Sequence, residues 1–123
     1  MKLEQERGAG GPIVKGFTAQ GFRLDEGVFV ALLMTPQRAD GWTPPPIDAL
    51  TVEALEPLLS PVPEFVLIGT GAWLVRPPVT LVRALDARGI GVEAMDSRAA
   101  ARAWSVLRAE GRAIAAALYP LGA

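Results

Sequence analysis

The alternation of apolar strands and amphipathic helices in the second half of the sequence constrains the fold more than any other feature. EFVLIG at 64–69 and IGVEAM at 90–95 are short apolar runs bounded by turn residues, which predicts buried strands. Helices are predicted at about 77–88 and at about 97–110, each framed by a cap or proline signal and a glycine. AIAAALYP at 113–120 is read as a third strand, with a continued helix as the less favoured alternative.

Strands that alternate with helices in this way pair in parallel, and the connecting helices cross over with a right-handed turn. We therefore predict an α/β fold with a βαβαβ C-terminal half. The carboxyl ends of the strands, and the amino ends of the helices that follow them, should meet at one rim of the sheet. In open α/β sheets this rim is where ligands tend to bind.

The first half of the sequence is less regular. Residues 1–12 are polar and glycine-rich, which predicts a flexible N-terminus, and 13–123 are predicted to form a single α/β domain. Short strands with turns are expected within 13–22. VFVALLM at 28–34 is apolar on both faces and is predicted to be one central strand. A short helix is expected to begin after Thr51.

Composition excludes several kinds of chemistry. The 123 residues include no cysteine and no histidine, which removes thiolate metal sites, a cysteine nucleophile and the commonest general base. The formal net charge is −1, which does not indicate nucleic-acid binding. The longest apolar run has seven residues, whereas a membrane span needs roughly 20. We expect a soluble cytoplasmic protein with no metal site and no cofactor.

The predicted rim of the sheet carries a weak anion-binding signal. The GTG at 69–71 resembles a fragment of a phosphate loop, but Leu74 stands where a third glycine would be and no Lys-Ser/Thr pair follows. The alternative is a tight strand exit without a ligand. Either Ser97 or Asp96 is expected to cap the helix that follows. Because Ser97 has no histidine or lysine base beside it, capping is its favoured interpretation and no catalytic residue is predicted. The candidate anion- or ligand-binding residues are Gly69, Thr70, Gly71, Arg76, Asp96, Ser97, Arg98 and Arg102.

Projection of the last helix at 100° per residue separates an arginine side from an apolar side. The arginine side is formed by Arg98, Arg102, Ser105 and Arg108 or Ala109. It is either an ordinary solvated face or a basic surface that docks an acidic partner or an anion. The apolar side is expected to comprise Ala99, Ala100, Ala103, Trp104, Val106 and Leu107.

Glu110 projects onto that apolar side, where a carboxylate is costly unless it is paired. One hypothesis is a structural polar pair between Glu110 and Arg112, or bonds from backbone amides to Glu110; the other is a frayed helix end that leaves Glu110 exposed.

The motifs FVLIGTG at 65–71, MDS at 95–97 and AAxRxWSxLxxEGR ending at Arg112 resemble the family of mitochondrial respiratory complex I assembly factor 3. Its bacterial and archaeal members form domain of unknown function 498. The resemblance implies a three-layer domain with a mixed central sheet, no shared enzymatic activity, and assembly work near a membrane with protein partners. The chain departs from the family at 103–105, where Ala-Trp-Ser replaces Thr-Tyr-Asn. The motif positions that carry over are Gly69, Gly71, Asp96, Ser97, Arg102, Glu110 and Arg112.

Two functions remain open at this point. The favoured one is a non-catalytic protein-interaction or assembly module, with protein partners, peripheral membrane association through those partners, and self-association left open. It predicts an exposed apolar or arginine-rich patch of interface size. The alternative is a small-anion or nucleotide-binding protein, with an enzymatic activity left open.

Overall fold

The computed structural model of the chain describes residues 10–123, which form eight strands and three α-helices with two short 3₁₀ turns. The first five strands are short and lie in the first half of the chain. The strands are β1 (Gly16–Thr18), β2 (Gly21–Leu24), β3 (Gly27–Phe29), β4 (Leu32–Met34), β5 (Ala39–Gly41), β6 (Phe65–Gly69), β7 (Gly91–Met95) and β8 (Ala115–Leu118). The helices are α1 (Val52–Leu55), α2 (Val79–Asp86) and α3 (Ser97–Ala109), and the 3₁₀ turns are Ile47–Ala49 and Glu56–Leu58.

The predicted βαβαβ unit is confirmed. The main sheet has the order β5-β4-β8-β6-β7, in which β6 pairs in parallel with both β7 and β8. The two strands on the other side, β4 and β5, run antiparallel, so the sheet is mixed as expected. The chain moves one place outward from β6 to β7 and then back past β6 to β8. Because right-handed crossovers that run in opposite directions put their helices on opposite faces, α2 and α3 lie on different sides of the sheet.

Side chains from the sheet alternate between two cores. Val66 and Ile68 of β6 pack with Leu55, Leu81 and Leu85 of the helices α1 and α2, whereas Leu67 faces the other side. That second core contains Trp104 of α3 together with Phe22 of β2. The two inner strands of the parallel unit, β6 and β8, are apolar at every position because both of their faces are covered. The result is a three-layer domain with the mixed sheet in the middle.

The prediction of one central strand at 28–34 is wrong. The segment divides into β3, an edge strand of a small antiparallel sheet with the order β1-β2-β3, and β4 of the main sheet. Val30 lies at the break and is 61% exposed, while Leu32, Leu33 and Met34 are buried. An unbroken apolar run hides this change of sheet because no polar or turn residue marks it.

The apolar side predicted for α3 is right only in part: Ala100 and Trp104 are buried, and Ala103 and Leu107 pack against the same core. The face that packs on the sheet consists of Ser97, Ala100, Ala101, Trp104 and Arg108, a set with helical spacing that includes an arginine. Val106, which was expected to be buried, is exposed. The projection failed because the alanines of this helix suit either face and because an arginine was taken for a surface residue.

Helix ends follow the expected chemistry in part. Gly89 adopts φ +77° just beyond α2, as a residue that terminates a helix in the left-handed region should. Pro78 occupies the position before the first turn of α2. Thr51 lies at the expected cap position of α1, but its side chain makes no capping hydrogen bond.

Most of the segment predicted as a flexible N-terminus, residues 1–9, lies outside the described residues. Two of the remaining three residues of that segment, Gly10 and Pro12, accept hydrogen bonds from α3. The Pro12 carbonyl accepts a hydrogen bond of 2.8 Å from the indole Nε1–H of Trp104, which is buried. The Gly10 carbonyl accepts one of 3.1 Å from Nη2 of Arg108. The domain therefore includes backbone from Gly10 onward.

Candidate functional site

The three parallel strands end at one rim of the sheet, as the sequence predicted. Gly69 at the end of β6 is opposite Met95 at the end of β7 and opposite Leu118 at the end of β8. The amino end of α3 lies at the same rim, since Ser97 follows directly after β7. The structure thus brings the predicted segments Gly69–Gly71 and Asp96–Ser97 together.

The backbone amides of the turn after β6 are occupied by protein acceptors. The Thr70 amide donates to the Met95 carbonyl at 2.9 Å, and the Gly71 amide donates to Ser97 Oγ at 2.8 Å. The Ala72 amide donates to the Ala123 carbonyl at 3.0 Å. A phosphate loop instead leaves consecutive amides directed at the anion. In this conformation the turn has no free amide cradle at those three positions.

Ser97 holds the exits of the three parallel strands together. Its buried hydroxyl accepts from the Gly71 amide and donates to the Tyr119 carbonyl at 2.8 Å, directly after β8. Its own amide donates to the Gly71 carbonyl at 2.8 Å. Of the two residues expected to cap α3, Asp96 is the N-cap, and its Oδ1 accepts from the Ala99 amide at 2.9 Å. Capping by Ser97, the favoured interpretation of that serine, is wrong. Ser97 is therefore a structural residue at the rim.

The glycines of the turn allow this close packing. A Cβ at Gly69 would lie 2.9 Å from Cα and Oγ of Ser97, a distance that side chains essentially never adopt. Gly71 has φ +105°, and a Cβ there would lie 2.4 Å from the Ala123 carbonyl oxygen. Both glycines are explained by protein packing against them, without an anion.

The predicted arginines gather elsewhere. The guanidinium carbons of Arg98 and Arg102 lie 5.3 Å and 5.6 Å from the centre of the Phe17 ring in β1. This distance is typical of cation–π contacts. Arg76 is exposed after the turn. The groove that Thr70 lines contains none of these three arginines among its lining residues.

The predicted pair between Glu110 and Arg112 is replaced by another. Arg112 donates from Nη2 and Nε to Glu64 Oε1 at 2.7 Å and 3.0 Å, and the Ala113 amide adds a bond of 3.3 Å to Oε2. These bonds, the one from Arg112 first, hold the pKa of Glu64 below its usual value. Glu110 is the exposed C-cap residue of α3, and within residues 10–123 no ion pair joins it to an arginine. The pairing hypothesis placed Glu110 on the wrong side because the projected face of α3 was rotated.

Sequence reasoning missed the most exposed feature of the rim. After the Gly69–Gly71 turn, Trp73 is 77% exposed and Leu74 is 62% exposed, and Val75 is exposed beside them. Val75 also lines an apolar groove of about 550 Å³, and half of the other residues that line this groove are prolines. We call this the Trp73 surface: Trp73, Leu74, Val75, Pro44, Pro45, Pro46, Ile47 and Pro120. A signal existed, since three large apolar residues between a glycine turn and Pro77 cannot belong to either neighbouring element.

Side-chain hydrogen bonds hold the Trp73 surface in place from below. Thr70 Oγ1 donates to the Trp73 carbonyl at 2.6 Å and accepts from the Val75 amide at 3.0 Å. The Tyr119 hydroxyl donates to the Pro45 carbonyl at 2.7 Å, and its ring makes an edge contact with Trp42 at 5.2 Å. Burial, with a smaller contribution from the charge of Asp48, raises the pKa of Tyr119 to about 12. The surface is thus built on fixed backbone.

Between residues 10 and 123 no cluster of three or more acidic side chains is arranged to hold a metal ion. Over the same residues, no helix has the length and apolar character needed to span a bilayer.

The model of one protein family, described as a protein of unknown function (DUF498/DUF598), matches residues 14–119. The chain belongs to this DUF498/DUF598 family. The match covers the three-layer domain almost completely, which confirms the family resemblance that the motifs around Gly69, Asp96 and Arg112 indicated.

Curated relatives of this DUF498/DUF598 chain carry an assembly name. It is 29% identical to NADH dehydrogenase [ubiquinone] 1 alpha subcomplex assembly factor 3 of Danio rerio, over 98% of this chain and 71% of that protein. It is 33% identical to the protein of the same name from Bos taurus, over 86% of this chain and 56% of that protein. The chain thus spans between about half and three quarters of the length of these relatives.

Solved structures of similar chains share the fold. A crystal structure of a Bordetella parapertussis protein is similar at a TM-score of 0.78 and 33% identity, over 89% of this chain and 95% of that one. A solution structure from Bordetella pertussis, described as an Mth938-like domain, is similar at a TM-score of 0.76 and 28% identity, over 90% and 87% of the two chains. The mixed α/β architecture is therefore confirmed.

Proposed function

We propose that this chain is a non-catalytic protein-interaction module with an assembly role, and that it docks a protein partner through the Trp73 surface. The observation that carries the proposal is the 77% exposure of the Trp73 side chain beside an apolar, proline-walled groove. Large exposed apolar patches on a folded domain mark interaction sites. Tryptophan is also among the residues that most often dominate the binding energy of protein interfaces.

The rigidity of the Trp73 surface supports this role. Thr70 fixes the backbone of the Trp73–Val75 segment, and Tyr119 fixes the proline wall opposite it. A surface held in its binding conformation loses less conformational entropy when a partner docks, which raises affinity. The names of the curated relatives, which describe assembly of a respiratory complex, are consistent with an assembly role.

The polar chemistry of the rim supports a non-catalytic role. The amides of the Gly69–Gly71 turn and the hydroxyl of Ser97 are engaged with other parts of the protein. Ser97 is buried, and the sequence contains no histidine to activate a nucleophile and no cysteine to act as one. The rim therefore offers a partner apolar contact area in place of activated groups.

The test compares partners that co-purify with tagged wild-type chain and with two double variants. Trp73→Ser/Leu74→Ser removes the exposed apolar residues of the Trp73 surface. Val28→Ser/Val30→Ser removes exposed apolar residues from β3 and the residue after it, and serves as the matched control. For a partner found with the wild type, we expect affinity to fall at least about thirtyfold in the first variant, since truncating an interface hot spot costs about 2 kcal/mol or more.

Binding to the control variant should equal binding to the wild type. Equal retention of every specific partner by both double variants would contradict docking through the Trp73 surface. A circular dichroism melt of each variant establishes that the fold is intact.

A further inference from the structure

A second groove lies on the other side of the molecule, between β1 and α3. It has a volume of about 310 Å³; one wall is the segment Val14–Phe17, and the other consists of Ala101, Arg102 and Ser105 of α3. β1 is an edge strand, because the small sheet has the order β1-β2-β3 and β1 pairs there only with β2. An edge strand that faces a helix across a groove is the arrangement in which extended peptides add to a sheet.

The charges around this groove are predominantly positive. Arg98 and Arg102 lie over the Phe17 ring, and Arg23 donates from Nη2 to the Lys15 carbonyl in the groove wall. Within residues 10–123, neither Arg98 nor Arg102 forms an ion pair with a carboxylate, whereas Arg112 does. The Lys15 ammonium lies 3.8 Å from Asp25, and both of these side chains are exposed to solvent.

We propose that the groove between β1 and α3 binds an extended, acidic segment of a partner protein, which adds as a strand to the edge of β1 and places carboxylates on Arg98 and Arg102. The inference rests on the proposed function in that the occupant is a protein, but it concerns a different surface. The guanidinium group matches a carboxylate in geometry and charge.

The shape of the groove favours a peptide over a lipid surface. Its walls include the apolar side chains of Val14, Phe17 and Ala101, so that alternate side chains of an extended segment would meet apolar and cationic groups in turn. A bilayer is flat and would contact the outer arginines without entering the space between β1 and α3. The requirement for an edge strand is likewise specific to a peptide backbone.

The test uses a defined probe, the peptide acetyl-Val-Glu-Val-Glu-Val-Glu-Val-amide with a fluorescent label, and measures binding to the full chain by anisotropy. The same peptide with Gln in place of Glu should bind at least about tenfold more weakly, because it cannot form charge-assisted hydrogen bonds. The double variant Arg98→Gln/Arg102→Gln should weaken binding of the Glu peptide to a similar extent. The matched control Arg76→Gln/Arg83→Gln, which removes two exposed arginines elsewhere, should bind as the wild type does.

Two N-methylated peptides test strand addition without altering the protein. One carries methyl groups on the Val nitrogens and the other on the Glu nitrogens. Because alternate amides of a strand face one edge, one of these peptides should lose at least about tenfold in affinity while the other binds like the parent. In the bound protein, amide NMR signals of Val14–Phe17 should shift most.

Several results would overturn the proposal. They are no binding of the Glu peptide to the wild type, equal binding to the Arg98/Arg102 double variant, or equal binding of both methylated peptides. Arginine-dependent binding of the chain to vesicles of phosphatidylcholine and phosphatidylglycerol, with no peptide binding, would assign the surface to lipid instead. The Trp73→Ser/Leu74→Ser variant should keep its affinity for the peptide, which separates failure here from failure of docking at the Trp73 surface.

Discussion

The Gly69–Gly71 turn and the Trp73–Val75 segment lie a few residues apart at the same rim of the sheet, yet they differ in burial and in the groups they present to solvent. The turn is buried, and its amides are bonded to Met95, Ser97 and, through Ala72, the carbonyl of Ala123. The segment that follows exposes a tryptophan and a leucine to solvent. At this edge α/β proteins often bind anions, but here the protein's own polar groups occupy the amides that an anion would need. What remains accessible is apolar.

Of the two regions compared, the buried Gly69–Gly71 turn should show the larger loss of stability when its contacts are removed. Ser97→Ala removes a buried hydroxyl and leaves the Gly71 amide and the Tyr119 carbonyl without their partner. Each buried backbone group left unsatisfied costs about 1–3 kcal/mol, so we expect the free energy of unfolding to fall by about 3 kcal/mol. Urea denaturation of the purified variant measures this.

The matched control is Ser105→Ala in the same helix. Ser105 is half-buried, and its hydroxyl has only a long contact of 3.4 Å with the Ala101 carbonyl. Its loss should change the free energy of unfolding by no more than about 0.5 kcal/mol. If the two serine variants were equally stable, Ser97 would not be the residue that closes the rim.

An intermediate effect is expected at Tyr119, whose hydroxyl supports the proline wall of the Trp73 surface. Its pKa in the folded state is raised to about 12, above the ordinary value of about 10 for tyrosine. The folded state therefore retains this proton where the unfolded state has lost it. Stability from this group is fully present below about pH 10 and is lost as the pH rises toward about 12.

Because the chain contains a single tyrosine, the absorbance of tyrosinate reports this ionisation directly. Tyr119→Phe should remove the alkaline loss of stability that this group causes, although it also removes the bond to the Pro45 carbonyl. A folded-state midpoint near 10 would show that the hydroxyl is not protected and that the proline wall is more loosely held than described.

The smallest effect on stability is expected in the exposed Trp73–Val75 segment. Trp73→Ala removes a side chain that is 77% exposed, so the free energy of unfolding should change by no more than about 0.5 kcal/mol. Its consequence should appear in partner binding alone. Thermal and urea unfolding of Trp73→Ala should be compared with unfolding of Trp104→Ala. The second substitution empties a fully buried site and should lower the free energy of unfolding by about 3–5 kcal/mol. A large loss of stability in Trp73→Ala would argue that this tryptophan serves the core.

Much of the second half of the fold could be predicted from the sequence because residues that end strands and helices clearly mark the limits of its elements. Gly69 and Gly89 end a strand and a helix, and the apolar runs between such residues are long enough to show their type. The split of 28–34 could not be predicted, since Val30 is as apolar as the residues on either side of it and only the tertiary structure exposes it. The sequence therefore indicated β-structure at 28–34 but not that its two parts belong to different sheets.

The candidate site was less predictable for a related reason. The sequence placed Gly69, Gly71 and Ser97 at one rim correctly, but it could not show that Ser97 fills the space an anion would need. The projection put Arg108 on the arginine side of α3, although its guanidinium is buried and bonds the carbonyls of Arg112 and Gly10. Hydrogen bonds between residues far apart in sequence have no local signature.

The bond from Trp104 to the Pro12 carbonyl has a practical consequence for where the domain begins. The first strand starts at Gly16, yet the indole of a core tryptophan depends on an acceptor four residues earlier. A shortened chain that began at Gly16 would keep every strand and helix and still lose the group that satisfies the Trp104 N–H. The amino-terminal limit of an independently folding version is therefore set by a helix near the other end of the polypeptide.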